Sequence, residues 1–509
     1  GLFRVFAVTL VGVVAPTAPT VLAELSARRP SFPFDHQMES PDDAINRDLV
    51  RPGTARVFPL VRFIHRVPKK AYLYKPELRY FTVVDTAAHT KWVGRMKPTD
   101  FHGVPLNTRV LFIARWGDHR PYYRTFAFGL PRSDSTKLRL LKPPIVNDTV
   151  VSHNLDVVLI THPGAPSEMI GVGGQYSFLK DLRNTYHLDE PHMRLRDGVN
   201  LLRARSLDDV LSGRWQPWDP YNVVGTPPTI FDGNHTGCYD LRDRSVAFGL
   251  VGTCEFDGKM SVVHFGGRYL VYARSNTKVA GGRYVQVVRS QGDDPAGPYG
   301  SFELIRIDGY DWRGPGNIYF AAVQPHPLDG SMLLGMFPVN AGEDGAPSAG
   351  PQGAETNLMH GNTDGPSMVA IAASCDGVHF GKLTQLLKST PVEGRTYDHP
   401  VDGFVVDGTD VHFYIHRDVP GISPYAHNST RLVRHAFDLA GLQRITDEAR
   451  RELPECSPSA GSASAGVLAI EVGQSRVLLL VALSIVGMLA CVVARVLAVR
   501  RRWSSLAQR

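Results

Sequence analysis

Between residues 79 and 440 the chain is written in short apolar runs that alternate with polar positions and are punctuated by Gly, Pro and Asp. RYFTVVDT (79–86), TRVLFIARW (108–116), LDVVLITH (155–162), MSVVHFGGRYLVYAR (260–274), RYVQVVRS (283–290), SMLLGMFPV (331–339), PSMVAIAAS (366–374) and DGFVVDGTDVHFYIHR (402–417) are the clearest. Period-two alternation rich in Val, Ile, Tyr and Phe predicts half-buried strands, and Gly266-Gly267 and Asp407-Gly408 predict tight hairpin turns. Helical periodicity is nearly absent; RSLDDVLSG (205–213) is the one clear helical turn.

Three stretches share one grammar: GVNLLRARSLDDVLSGRWQPW (198–218), YVQVVRSQGDDPAGPYGSFELIRI (284–307) and SMVAIAASCDGVHFGKLTQLL (367–387). Each has an apolar strand, a Ser, a polar turn, an aromatic and a second apolar run. A repeated outer hairpin over about 360 residues exceeds one sandwich and fits a propeller. The expectation is an all-β, five-bladed β-propeller over 79–453, with blades of roughly seventy residues.

The two ends break this pattern. Residues 477–494, VLLLVALSIVGMLACVVA, carry no charge, and Arg500, Arg501, Arg502 and Trp503 follow. A run of that length matches the hydrocarbon thickness of a bilayer, and arginines mark its cytosolic side. Residues 1–23 read as a signal peptide, with an apolar stretch from Val5 to Val14 and a small-residue cleavage site at Ala23. The expected order is signal peptide 1–23, a loosely structured N-terminal arm 24–78, the propeller ectodomain 79–453, a Ser/Ala/Gly stalk 454–475, a C-terminal transmembrane helix 476–499 and a cytosolic tail 500–509. This is a single-pass type I membrane protein of the cell surface or secretory pathway, touching lipid through one helix.

Charge then loses its first meaning. The net charge is +6, and six arginines with no Asp, Glu or Lys lie from Arg476 onward. The outer part is formally neutral, which argues against a nucleic-acid partner. Of five cysteines, Cys491 sits in the apolar run. Cys238 and Cys254 bracket a polar loop and are the expected disulfide on an oxidising side; Cys375 and Cys456 are left open between pairing, free thiols and intermolecular bonds. Sequons at Asn147, Asn234 and Asn428 fall in turn-like stretches. No Cys or His spacing points to a metal.

The unit Ser374-Cys375-Asp376-Gly377-Val378-His379-Phe380 resembles the Asp box of sialidases, which implies a structural turn in an outer hairpin. FDGKMSVVHFGGRYLVYARSN (256–276) resembles the inner strands of five-bladed glycoside hydrolases of the family 43 and 32 type. The resemblance is at blade level over roughly 190–420. The Glu-Gly-Pro acid signature of family 43 is missing, and no sialidase arginine triad can be assigned. Such folds sometimes hold a calcium in the central channel; no other cofactor is implied.

In a propeller the start of each inner strand faces the central funnel. Two clusters enter such strands: Glu255 and Asp257, with Arg274 leaving the next strand, and Arg395, Asp398, His399 and Asp402, with His416 leaving. Asn317 and Tyr319 follow a Gly-rich segment toward the same funnel. Glycoside hydrolysis needs one protonated and one ionised carboxyl flanking the sugar bond. Asp257, Asp398, Asp402 and Glu255 are therefore the catalytic candidates. Arg274, Arg395, His399, Asn317, Tyr319 and His416 are the substrate-binding candidates. Asp257-Gly258 and Asp402-Gly403 are equally good turn dipeptides. Two functions follow: a membrane-anchored glycosidase acting on glycans, or a non-catalytic glycan- or protein-binding ectodomain on the same scaffold.

Overall fold

The computed structural model describes residues 44–64, 77–86, 98–117, 124–142 except 133 and 135, 155–160, 168–175, 198–217, 238–240, 249–251, 256–276 except 257, 283–312 except 296, 317–340, 367–420 except 390, 393, 394 and 397, and 429–456. Among these, β-structure dominates and is propeller-like. Five sheets of four or more strands, antiparallel except for the short parallel pair Arg306–Ile307 with His379–Phe380, follow one another along the chain.

Sheet I runs outward as Glu77–Asp85, Thr108–Gly117, Arg124–Pro131 and Arg139–Lys142. Sheet II is Asp156–Ile160, Glu168–Gln175, Gly198–Ala204 and Gln216–Pro217. Sheet III is Ser261–Phe265, Arg268–Asn276, Arg283–Arg289 and Glu303–Leu304. Sheet IV has Ala322–His326 innermost, then Asp329–Asn340 and Ser367–Ser374, with Thr384–Ser389 beyond. Sheet V has His399–Pro400 and Val405–Asp407 against Asp410–Arg417, then Arg431–Ala436. The innermost strands stand side by side around one axis, I beside II, II beside III, III beside IV and V beside I.

The repeated sequence unit falls where its grammar placed it, between the third and fourth strands. Ser206 caps the short helix Leu207–Leu211. Ser290 Oγ accepts from Tyr269 N at 2.8 Å. In the Asp box, Ser374 Oγ accepts from Gly377 N at 2.9 Å, and Asp376 accepts from Val378 N and His379 N, each at 2.8 Å. Gly377 has φ +78°, and a Cβ there would strike Leu270. The turn is held by its own backbone donors.

Three features differ from the sequence reading. First, residues within the expected loose arm are built into the last sheet. Arg56–Pro59 pairs with Arg431–Ala436, with Phe58 opposite Leu432, and Phe58, Leu60 and Phe63 join the core between sheets I and V. Ring closure therefore joins the two ends of the domain, which period-two reading of a four-residue strand does not detect. Second, a fourteen-residue helix, Leu439–Glu452, follows sheet V. Asp438 caps it, accepting from Gly441 N at 2.7 Å, and Leu442 and Ala449 reach the core. Third, Cys375 and Cys456, whose pairing was open, form a disulfide. Cys238 is also disulfide-bonded. Its expected partner Cys254 lies outside the described residues, as do the three sequon asparagines, the signal peptide and residues 457–509. No helix among the described residues is long and apolar enough to cross a membrane.

Candidate functional site

Strand direction fixes which end of the axis collects chemistry. In every sheet the inner strand begins where the second strand ends and the third begins: Glu77 lies opposite Gly117, Asp156 opposite Val172, Ser261 opposite Tyr272, and His399 opposite His416. We call this the entry end. Thr82 and Asp402 form a parallel bridge there; Val83 N donates to Asp402 O at 2.7 Å, and Asp402 N to Phe81 O at 3.2 Å. Gly403 has φ +104°, and a Cβ would strike the Val83 carbonyl. So Asp402-Gly403 is the close approach of sheet V to sheet I, and its aspartate is left facing the axis.

Beneath that approach sits a fully buried charge cluster. Lys259 Nζ lies 2.6 Å from Asp156 Oδ1, 3.3 Å from Asp402 Oδ2, 3.1 Å from the Met260 carbonyl and 3.4 Å from Thr82 Oγ1. All three ionisable side chains have 0 % exposure, so water cannot supplement the shell. Thr82 Oγ1 donates to Asp156 Oδ1, and Val262 N donates to Asp156 Oδ2 at 3.0 Å. Ser261 Oγ joins the next pair of inner strands, accepting from Val323 N at 3.0 Å. Burial pushes the Asp402 carboxyl well above the usual carboxylate range. The Asp156 charge pushes the same way, and Lys259 opposes both. One ammonium offsets one carboxylate charge, and burial together with the Asp156 charge favours the protonated form of Asp402.

Aromatic and cationic side chains, all of them buried, form a row across sheets I, V, IV and III. The His399 ring lies parallel to Tyr80 at 6.0 Å and 5.5 Å from Tyr319. Arg115 stands over Tyr80 at 4.8 Å, and Arg274 and Arg283 stand over Tyr319 at 5.8 and 5.4 Å. Tyr80 has φ +56° at an irregularity in the sheet I ladder between Arg79 and Thr82. That backbone conformation is costly for a bulky residue, and the bulge re-aims the ring.

The other candidates divide clearly. Asp398 is committed to a corner of sheet V: it accepts from Ser389 Oγ at 2.8 Å and Asp418 N at 3.2 Å, with Arg417 Nη2 at 3.3 Å. His416 is buried beside Phe81, its Nε2 3.0 Å from Thr430 Oγ1. Asn317 lies opposite Asn340 at the entry end. Arg395 belongs to a two-residue strand paired with Pro391–Val392. Asp257 and Glu255 fall outside the described residues. Lys259, Asp156, Thr82, Tyr80 and Arg115 were not anticipated. Applying the strand-entry rule to LDVVLITH would have found Asp156; nothing in a single sequence pairs it with Lys259, 103 residues away. No group of three or more His, Cys, Asp and Glu among the described residues could hold a metal ion.

Burial lowers His416 to about 3, His435 to about 3 and His326 to about 4, with a nearby arginine adding to each. A histidine in an unfolded chain titrates near 6.5. Between that value and the folded pKa the unfolded state binds more protons, so stability is full above about pH 6.5 and falls as pH drops. The expected result is a thermal midpoint that declines steadily from pH 7 to pH 5, with the decline reduced in His416→Gln. An identical slope in that variant would show that His416 is not a source of it.

No protein-family model and no curated protein sequence matches the chain. Among solved structures, it is similar to an N-acetylgalactosamine deacetylase from F. plautii in complex with blood group B trisaccharide: 12 % identity, 79 % of this chain and 98 % of that one, TM-score 0.41. It is also similar to an α-L-arabinanase of Penicillium chrysogenum complexed with arabinobiose, at 9 % identity, 76 % and 98 % coverage and TM-score 0.31. A family 117 glycoside hydrolase from Zobellia galactanivorans gives 12 % identity, 72 % and 91 % coverage and TM-score 0.29. Scores this low do not define the architecture, which rests on the sheet order and strand direction above.

Proposed function

We propose that this chain is a membrane-anchored, carbohydrate-active protein whose five sheets are the blades of a glycosidase-like propeller, and that it engages a glycan at the entry end. The observation that carries the reading is the convergence of inner-strand starts from different sheets on one row of Tyr80, His399 and Tyr319, flanked by Arg115, Arg274 and Arg283. Aromatic faces and fixed guanidinium donors are what a pyranose ring and its hydroxyls need from a site. The anchor rests on the uncharged run 477–494 and the arginines after it.

Hydrolysis is the sharper form of this proposal. Asp156 and Asp402 share one ammonium, which keeps the bonded oxygens within about 6 Å, near the spacing of a retaining pair. Burial and the Asp156 charge raise the Asp402 carboxyl, the direction a general acid needs. Asp257, two residues before Lys259 in the sequence, is a further candidate partner. The second reading, a glycan-binding ectodomain without turnover, is favoured by a specific observation: Lys259 occupies both axial carboxyls, and Asp398 is engaged in a structural corner.

The test is a glycan panel against the full chain in nanodiscs, read for binding and for released sugar. Binding that is lost in Tyr319→Ala supports the glycan site. Turnover that disappears in Asp257→Asn with binding retained makes it a glycosidase; binding with no turnover in any variant keeps the second reading. No binding and no turnover across the panel would reject both.

A further inference from the structure

The strand geometry that collects the candidate site at the entry end also determines where the chain leaves the domain. The far end holds the hairpins Phe265–Arg268 and Asp407–Asp410 and the Asp-box turn after Ser374. The last strand of sheet V runs toward it, since Arg431 lies opposite Arg417 and Ala436 opposite His412. The helix Leu439–Glu452 therefore starts at the far end, and its contacts keep it there. Thr446 Oγ1 is 3.0 Å from His326 Nε2. Arg450 pairs with Asp329, in the turn between the first two strands of sheet IV. Finally Cys456 is bonded to Cys375 in the Asp box, with Cα atoms 5.2 Å apart, and Glu455 is held by His379 at 3.1 Å and Arg306 at 3.2 Å.

We infer that the entry end faces away from the bilayer, so that the site meets glycans on an apposed surface or free in the surrounding fluid rather than in the chain's own membrane. This rests on the anchored reading above. From Cys456, fixed at the far end, residues 457–475 are Ser, Ala and Gly-rich and lead to the apolar run. A flexible chain of that length has a root-mean-square span of about 25 Å and a fully extended reach of about 65 Å. The nine-residue strand Arg268–Asn276 alone separates the two ends by about 26 Å. Turning the entry end to the bilayer would require the stalk to run along the side of the domain for at least that distance, taking up its whole root-mean-square span before it reaches the membrane, at a cost in conformational freedom. The disulfide and the Glu455 contacts leave no slack in the domain to relieve that.

The test uses the full chain in proteoliposomes with an acceptor dye at the outer membrane surface. Arg268→Cys puts a donor on an exposed far-end hairpin, and Asn276→Cys puts one at the entry end of the same strand. Thr409→Cys, on the exposed far-end hairpin of sheet V, is a second far-end site should Arg268→Cys fold poorly. The parent chain gives the labelling background. Stronger transfer from Arg268→Cys and Thr409→Cys than from Asn276→Cys is the expected result. Equal or reversed transfer, with the chain floating with the vesicles, overturns the orientation and leaves the anchor standing. A chain that fails to float with the vesicles overturns the anchor, and the orientation with it.

Discussion

Replacing Lys259 by Met should destabilise the domain by about 3–5 kcal/mol, whereas Asp402→Asn should be tolerated or stabilising at neutral pH. The two side chains touch, so equal effects would be the simple guess. Their surroundings say otherwise. Removing the ammonium leaves Asp156 buried from solvent with no other cation in the cluster, and breaking a buried pair from one side carries that penalty. Burial and Asp156 favour the protonated form of Asp402, so an amide of the same shape replaces a group that the site prefers neutral. The sign of the pH effect follows. A carboxyl whose folded pKa lies above its unfolded value near 3.9 binds its proton more tightly in the folded state. Stability is full below that unfolded value and falls as pH rises toward the folded one. In Asp402→Asn this alkaline-side loss should vanish. Thermal midpoints of the parent and both variants from pH 5 to pH 9 decide it. A Lys259→Met midpoint within a degree of the parent, or an Asp402→Asn variant as damaged as Lys259→Met, would contradict the assigned protonation.

How much of this was legible beforehand depends on sequence distance. Period-two runs placed the inner and second strands of sheets I, III and V, the inner strand of sheet II and the second strand of sheet IV, because alternation is a local signal of a half-buried face. The Ser–turn–aromatic unit marked the outer hairpins because at Ser206 and Ser374 its hydrogen bonds span three residues. The site was visible as positions, not as partners. Asp402 and His399 were named from their place at a strand entry, but their roles come from Lys259 on sheet III and Tyr80 on sheet I. Those contacts are set by closure of the ring, which no window along the chain contains. Asp398 shows the converse: four ionisable residues within eight at a strand entry looked like ligand chemistry, and this one braces Asp418 and Arg417. The helix Leu439–Glu452 was passed over because its polar face is long and its buried positions, Leu442, Thr446 and Ala449, include only one large apolar side chain. The strand Arg56–Pro59 was passed over because four residues carry too little alternation to stand out from a proline- and arginine-rich arm.

That short strand carries the second large effect. Phe58→Ala is expected to destabilise the domain by about 3–5 kcal/mol, and deletion of residues 44–60 to yield associating or aggregated protein. Phe58 is 2 % exposed and packs in the cluster that joins sheets I and V, with Phe81, Phe112 and Tyr414. Its neighbour Val57 is 40 % exposed on the opposite face, so Val57→Ala should stay within about 0.5 kcal/mol of the parent. The contrast between adjacent residues separates burial from strand propensity, since both positions keep the same backbone pairing to Val433 and Leu432. Deletion acts differently. It uncovers the edge of Arg431–Ala436, whose unpaired donors and acceptors would then template another chain. It also releases the only strand by which the beginning of the described domain holds its last sheet, so sheets I and V would be joined by side chains and the single approach at Asp402 alone. Light scattering of the deletion variant and denaturant midpoints of the two point variants are the measurements. A monodisperse deletion variant with the parent's midpoint would mean that the ring closes without its N-terminal strand, through the Thr82–Asp402 bridge and the buried Lys259 cluster.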